Sequence, residues 1–528
     1  MKYVAAMILL VATAAGCSRS GSAPSASGRH AWTQPGVLRI ATIQESKTLN
    51  PLLASTTDDG FIDRLMFEPL LSADPAGNPV PMLAASVPTI GNGGVSRDGL
   101  TIVYHLRKDA FWTDGVPVTS RDVKWSWQAI VNPNDNVISR HGYDIVRAIE
   151  TPDDHTVTVR LKRRFAPFVN TFFAESDQPY DVVPAHVLAK YPNVNQVPFN
   201  GEPTVSDGPF KFVSWVRGDR IVLAANPRFF KGRPGLSRIL IQVVPDENTG
   251  INLLRTHAID YLFQASIATY PELKDAPDVK LVWVNMNAFD ALEFNVARVP
   301  NPLVRLAIAY ALDKPSLVAR LTHGQEKVAT EDLPDWMWAF DPTVKSYPYD
   351  VAKAKALLAR AGGSPHLLLA TENANATHRE ESLLVQEALR RIGLDVEIKY
   401  YPQAVLYATA AMGGILQGGK FDLTLAPWYG GIDPDDSSQF LCSTFPPNGY
   451  NTSRYCNPDM EAAQRRALDN YDQVIRASAY GRIQHILARD NPYVFFWWQR
   501  QLEAISVDFK GFSPNPSTES WNAWQWRI

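Results

Sequence analysis

Apolar and polar residues alternate with a period of two along several short stretches. Val37 to Ala41, Leu100 to Leu106 and His155 to Leu161 each gather their apolar side chains on one face, which predicts half-buried strands. Arg238 to Val244 reads as a further strand. Elsewhere the period lengthens to that of a helix. Asn301-Pro302 opens one in which Val304, Ala307, Ile308 and Ala311 share a face before Asp313. Asp350 caps the next, with a stripe of Ala354, Leu357, Leu358 and Ala361 and a stop at Gly362. A third is expected from Glu380 to Arg391, with Leu384, Ala388 and Ile392 in line, before Gly393 and a strand at Val396 to Ile398. A final helix is expected from Met460 to Ala488, and Phe495 to Trp498 reads as an apolar core run ahead of the last strand. Strands alternating with helices, plus antiparallel patches, point to α/β lobes rather than a barrel or a bundle.

The first residues follow a different pattern. Lys2 precedes a nearly continuous apolar run, Val4 to Ala15, closed by the small residues Ala14-Ala15-Gly16 and then Cys17. A positive start, a short apolar core and small residues at its end form an export signal, and the run is shorter than the ~20 residues that span a bilayer. Gly16-Cys17 resembles a bacterial lipobox, with Ala14 in place of the usual Leu, so residues 1–17 are expected to be a lipoprotein signal peptide and Cys17 the lipidated residue. Residues 18–31, rich in Ser, Gly, Ala and Pro at their start, are expected to be a flexible tether. The protein is thus expected outside the cytoplasmic membrane, anchored by lipid.

Composition narrows the function classes. The formal net charge of −3 comes without long charge runs, so nucleic acid is not an expected partner. Fourteen Trp suit either a Trp-rich core or an aromatic-lined cleft, with Trp521, Trp524 and Trp526 open to both readings. Beyond Cys17 only Cys442 and Cys456 remain, an even pair expected to form a disulfide, with two buried thiols as the alternative. Gly414 to Lys420 fits the start of a phosphate-binding loop. However, Phe421 stands where a Ser or Thr hydroxyl is needed, and a strand rather than a helix follows. No GxSxG, HExxH or CxxC occurs, the ten His lack metal-ligand spacing, and Asp58-Asp59 and Asp435-Asp436 read as turn and cap residues. The chain offers no catalytic constellation, and neither an enzyme nor a cofactor or metal site is expected.

Several blocks in order carry a resemblance. They are Thr48 to Leu52, Phe67 to Leu71, Pro81 to Ala84, Leu106 to Thr119 followed by Asp122-Val123, Ser206 to Phe210, Arg305 to Lys314 and Asp350 to Gly362. Together they resemble the extracellular solute-binding proteins of family 5, the peptide- and nickel-type receptors of ABC importers. The resemblance implies a type II periplasmic-binding-protein-like clamshell with an extra β-rich subdomain. Lobe I would comprise 32–65, 179–285 and 498–528, the extra subdomain 66–178, and lobe II 286–497. It also implies a monomer that closes on a peptide or other small solute and docks on ABC permease subunits served by a cytoplasmic ATPase.

The resemblance nominates ligand-facing residues too. Trp428, Tyr429, Gly430, Gly431 and Asp433 lie on the loop that faces ligand in the family, and Asn50 lies at the first-strand exit. The carboxylate that pairs with a peptide's α-ammonium in many relatives falls on Gly430 or Gly431. Asp433 is either its substitute or a cap. Glu372 stands where the dipeptide branch carries a carboxylate-binding Arg. Losing both anchors argues against a dedicated dipeptide receptor and leaves longer peptides, held by backbone, as the leading expectation. An oligosaccharide, an opine-like compound or a nickel chelate is the alternative; a lipid-anchored sensor on the same scaffold is a third reading.

Overall fold

The computed structural model describes residues 29–373, 375–425 and 427–528. The expected signal peptide, Cys17 and most of the tether lie outside the described residues. One twelve-stranded sheet runs through the molecule. On one side Val37–Thr42 pairs in parallel with both Arg238–Val243 and Tyr261–Ala265, and Arg220–Ala225 and Phe210–Val216 extend that edge. On the other, His366–Glu372 pairs in parallel with both Asp395–Tyr401 and Leu423–Leu425.

Two long antiparallel strands, Val279–Phe294 and Tyr493–Ser506, join the halves. Their register runs from Val279 opposite Ser506 to Glu293 opposite Tyr493, broken between Asn285 and Phe289, where the first strand carries extra residues. Such a bulge bends a ladder and frees its residues from pairing. A separate antiparallel sheet of Thr101–His105, Thr156–Leu161 and Val146–Asp153 forms the β-rich portion, and its Ile102, Tyr104, Val157 and Val159 enter the same core as Leu38, Ile40 and Trp526. The opposite half has its own core around Leu292, Ile308, Leu369, Val385 and Phe496. This is a two-lobe α/β clamshell.

The helices with sharp caps follow the periodicity. Pro302–Ala311 starts at Asn301, whose side chain accepts from the Leu303 N–H, and buries Val304, Ala307, Ile308 and Ala311. Val351–Arg360 starts at Asp350. Two expected boundaries are corrected. The third helix spans Ala376–Arg391, one turn longer, because Asn375 caps it, and its deepest stripe is His378, Glu381, Ser382, Val385 and Leu389. The expected final helix is two, Pro458–Leu468 and Gln473–Asp490. Asp472 caps the second, and Tyr471 leaves the helical path to donate its hydroxyl to the Gly99 and Phe165 carbonyls. Phe495 to Trp498 lies buried within the last long strand rather than ahead of it. The loop 414–420 turns back on itself, with Lys420 Nζ donating to the Gly413 carbonyl, and leads to buried Phe421. Among the described residues no helix is long and apolar enough to cross a membrane.

The C-terminal segment packs into the core that holds Leu38 and Ile40. Trp526 is fully buried against Phe61, Phe509 and Phe512, and its indole N–H donates to Asn522 Oδ1 at 3.0 Å. Trp526→Ala is therefore expected to destabilise the protein by about 3–5 kcal/mol, read as a lowered urea midpoint. A loss under ~1 kcal/mol would show that this segment does not hold the lobe together.

Candidate functional site

A cavity of about 230 Å³ sits where the two halves meet. Its lobe I wall is the helix Thr57–Met66. A capping box starts this helix: Thr56 Oγ1 accepts from the Asp59 N–H at 3.2 Å, and Asp59 Oδ2 accepts from the Thr56 N–H at 3.1 Å. The helix turns Gly60, Phe61, Asp63 and Arg64 toward the cavity, and Asp177, Asp181 and Glu519 complete that wall. Arg64 Nη1 lies 2.8 Å from Asp181 Oδ1, and Nη2 lies 3.7 Å from Glu175 Oε2.

Asp63 is different. It is 1% exposed, and neither carboxyl oxygen has a hydrogen-bond partner among the described residues. Burial, reinforced by the charges of Asp59 and Asp181 and opposed by Arg64, holds its carboxyl well above the usual range. Burial likewise pushes Asp181 up to about 7 against the pull of Arg64, and pushes Asp58, beside Asp59, up to about 7.

The lobe II wall is the loop after Leu423–Leu425. Trp428–Tyr429 pairs with Phe289 and Ala288 of the first long strand, and the Gly430 N–H donates to the Asn287 carbonyl at 2.6 Å. Tyr429 and Gly430 line the cavity, with Met286 from the bulge. Trp428 does not line it; it packs edge-on against Tyr450 at 5.5 Å. Gly431 also lies outside, pressed against the other half, and the Ile432 N–H donates to the Glu175 carbonyl at 3.0 Å. A Cβ on Gly430 would come within 2.6 Å of Asn287 Nδ2, and one on Gly431 within 2.5 Å of the Glu175 carbonyl oxygen. A side chain at 430 would have to displace the Asn287 amide, and one at 431 would collide with backbone as long as the two halves approach this closely.

Three nominated residues have other occupations. Asp433 is neither a cap nor exposed to the cavity. It forms a buried pair with Arg476, with Nη1 2.9 Å from Oδ2, and accepts from Asn170 Nδ2 at 3.2 Å. Asn50 is fully buried, donating to Asn200 Oδ1 at 2.9 Å and accepting from the Leu52 N–H at 3.2 Å, so it braces lobe I. A larger hollow of about 660 Å³ beside Asn200 belongs to that lobe alone. Glu372 lies off the cavity, 3.2 Å from His378 Nδ1, while His378 Nε2 lies 3.1 Å from Asp290 Oδ2. Burial disfavours a charged imidazole, but contacts with Asp290 and Glu372 outweigh it and push His378 up to about 10.

Asp290, His378 and Glu381 place one potential ligand atom each within 4.8 Å of one another, the arrangement best suited to a metal among the described residues. Nε2 is already hydrogen-bonded to Asp290 and Nδ1 lies beside Glu372, and the imidazolium supplies the positive charge that an ion would bring. Cys442 and Cys456 are joined by a disulfide, their Cα atoms 4.9 Å apart.

The wall residues Asp63, Arg64, Asp177, Asp181 and Glu519 carry the site's charge, yet periodicity passes over them. Phe61, Ile62, Leu65 and Met66 make Thr57–Met66 look like an ordinary core helix with a solvated acidic face. The available signal was density, since ten residues hold three Asp and one Arg.

The profile of the bacterial extracellular solute-binding proteins, family 5 Middle, matches residues 78–451. The chain belongs to this family of extracytoplasmic solute-binding proteins. It is 24% identical over 548 residues to the oligopeptide-binding protein AppA of Bacillus subtilis (strain 168), covering 100% of this chain and 98% of that one. The structure of AppA from Bacillus subtilis in complex with a nonapeptide superposes with a TM-score of 0.79 at 23% identity, covering 93% of this chain and 99% of that one. NikZ from Campylobacter jejuni in complex with Ni(L-His) gives 0.80 at 23% identity, covering 94% and 100%.

Two predictions follow from the contacts that close the cavity. In Gly431→Ala the added Cβ meets a backbone oxygen, so the halves cannot approach as they do here. Solute affinity should fall at least about tenfold and small-angle scattering should report a larger radius with the fold intact; unchanged scattering and affinity would refute the contact's importance.

The second concerns His141, whose Nε2 lies 3.4 Å from Asp435 Oδ2 across the same junction. Burial disfavours its charge, but the bond and charge of Asp435, with Asp177 and Asp144, push His141 up to about 9. Its ordinary value is about 6.5, so the raised value makes the contact strongest below pH ~6.5 and lost as pH rises through 9. Asp435, held below its usual range, keeps its charge throughout that window. Fluorescence transfer between labelled lobes should show the unliganded protein opening from pH 6.5 to 9, and His141→Gln should flatten that profile.

Proposed function

We propose that this chain is the solute-binding component of an ABC importer and that its solute is an oligopeptide held between the lobes. The observation that carries the reading is the cavity at the lobe junction, walled by Asp63, Arg64 and Glu519 on one side and by Tyr429 and Gly430 on the other. A ligand there touches both halves and so favours their closed arrangement. Lobe I would be 32–65, 179–285 and 498–528, with the insertion 66–178, and lobe II 286–497, bending at the break between Asn285 and Phe289. The similarity to AppA along the whole chain supports a peptide.

The cavity of about 230 Å³ is the space the peptide would enter. The segment from Lys2 to Cys17 supports export and a lipid anchor at Cys17, with the monomer delivering solute to permease subunits and performing no chemistry.

Native mass spectrometry of the domain from Ser18, purified gently and then stripped by partial unfolding, tests the reading. Co-purified masses that fragment as peptides of several residues are expected. A sugar, an opine-like compound or a metal chelate in their place would overturn the peptide assignment, and a narrow dipeptide population would overturn the length argument.

A further inference from the structure

The cavity's charge is lopsided. Four carboxyl groups line it (Asp63, Asp177, Asp181 and Glu519) against one guanidinium, that of Arg64. Arg64 is already committed to Asp181 at 2.8 Å and Glu175 at 3.7 Å. More acid stands behind this wall. Glu503, fully buried, accepts from the Tyr261 hydroxyl and the Gln264 N–H, both at 2.9 Å, and its second oxygen has no partner among the described residues. Glu519 accepts from Gln264 Nε2 at 3.2 Å.

Asp63 is the independent sign that this wall awaits a ligand. Nothing described bonds to either oxygen of a side chain that is almost wholly buried and borders the cavity. An ionised carboxylate in that position costs several kcal/mol unless it is paired. An ammonium or guanidinium entering the cavity supplies both the missing charge and the missing N–H donors. The lobe II wall offers such a cation no carboxylate: it lines the cavity with Met286, Tyr429 and Gly430, and Asp433 is spent on Arg476.

We infer that lobe I, through Asp63 with Glu519, selects a solute bearing a positively charged nitrogen, so that the bound peptide is cationic. This rests on the peptide reading above and adds its charge. The cation is either the peptide's α-ammonium or a basic side chain; an anionic peptide finds no free cation on this wall, because Arg64 is committed to Asp181 and Glu175.

Isothermal titration with three peptide probes and spermidine tests the inference: N-acetyl-tetra-alanine amide, which has no charge; tetra-alanine amide, which has only the α-ammonium; and N-acetyl-Ala-Lys-Lys-Ala amide, which has only side-chain cations. At least one cationic probe should bind about tenfold or more tighter than the neutral one, and which one does so identifies the source of the charge. Asp63→Asn, isosteric and checked for an unchanged thermal midpoint, should weaken the cationic probe about tenfold more than the neutral one. Should that variant fail to fold, Glu519→Gln replaces it with the same expectation.

Equal affinity for all three probes overturns the inference and leaves the peptide reading standing. Binding of spermidine with no peptide binding keeps the cation and overturns the peptide. Silence from every probe overturns both.

Discussion

Everything in this molecule hangs from two antiparallel strands, Val279–Phe294 and Tyr493–Ser506, which carry one sheet from half to half. Before the break at Asn285 the ladder is continuous, beyond Phe289 it carries one further register shift at Asp290–Ala291, and each half is stiffened by parallel neighbours. At the break itself the residues serve the cavity. The Met286 carbonyl accepts from the Trp336 indole at 3.0 Å, and Asn287 Nδ2 donates to the Gly431 carbonyl at 2.9 Å. A bend there disturbs few sheet bonds. The contacts it makes or breaks lie further out: Ile432 with Glu175, Asn170 with Asp433, and Ala166 with Leu468 at 2.7 Å. Each such bond is worth only about 0.5–1.5 kcal/mol net, so the contacts of a solute touching both walls weigh as much as any one of them in favour of the closed arrangement.

The two walls handle buried charge in opposite ways. Beside its stretch of the cavity, lobe II pairs its charges: Asp433 faces Arg476, and the His378 imidazolium sits between Asp290 and Glu372. Removing Arg476 would strand a buried carboxylate at a cost of about 3–5 kcal/mol, so this pair fixes the loop's shape rather than reading the solute. Lobe I leaves Asp63 unanswered. A protein that buries an unpaired carboxyl at the edge of a cavity gives up stability at that place, and such compromises cluster where ligands bind.

Much of this fold was legible because local and global preferences agree. Asn301 and Asp350 bond to the backbone N–H groups that their helices leave free, and the apolar stripes behind them face the lobe II core. The misread boundaries have tertiary causes. The first turn of Ala376–Arg391 is polar, and only the fold reveals that His378 is buried there against Asp290. Apolar periodicity continues on both sides of Asn470 to Asp472, and the helix breaks because Tyr471 finds its partners on Gly99 and Phe165, which lie far away in sequence. The site was half legible. Tyr429 and Gly430 sit on a loop whose place in the chain is recognisable, whereas Asp63 and Arg64 lie on a core helix and acquire their meaning from Asp181, Glu175 and Glu519, brought beside them by the fold.

Glu175 ties these threads together. Its carbonyl oxygen accepts from the Ile432 N–H, a bond that exists only when the lobes meet, and the closeness of that approach is why residue 431 must be glycine. Its carboxylate accepts from Ser72 Oγ at 2.6 Å and lies 3.7 Å from Arg64 in the cavity wall. One residue therefore touches the closure contact through its backbone and the charged wall through its side chain. A positive group drawn toward Asp63 alters the field felt by Arg64, hence its contact with the side chain of Glu175, whose carbonyl oxygen accepts one of the bonds across the junction. The glycine at 431 is thus what lets lobe II come close enough for the charged wall and the closure contact to meet on Glu175.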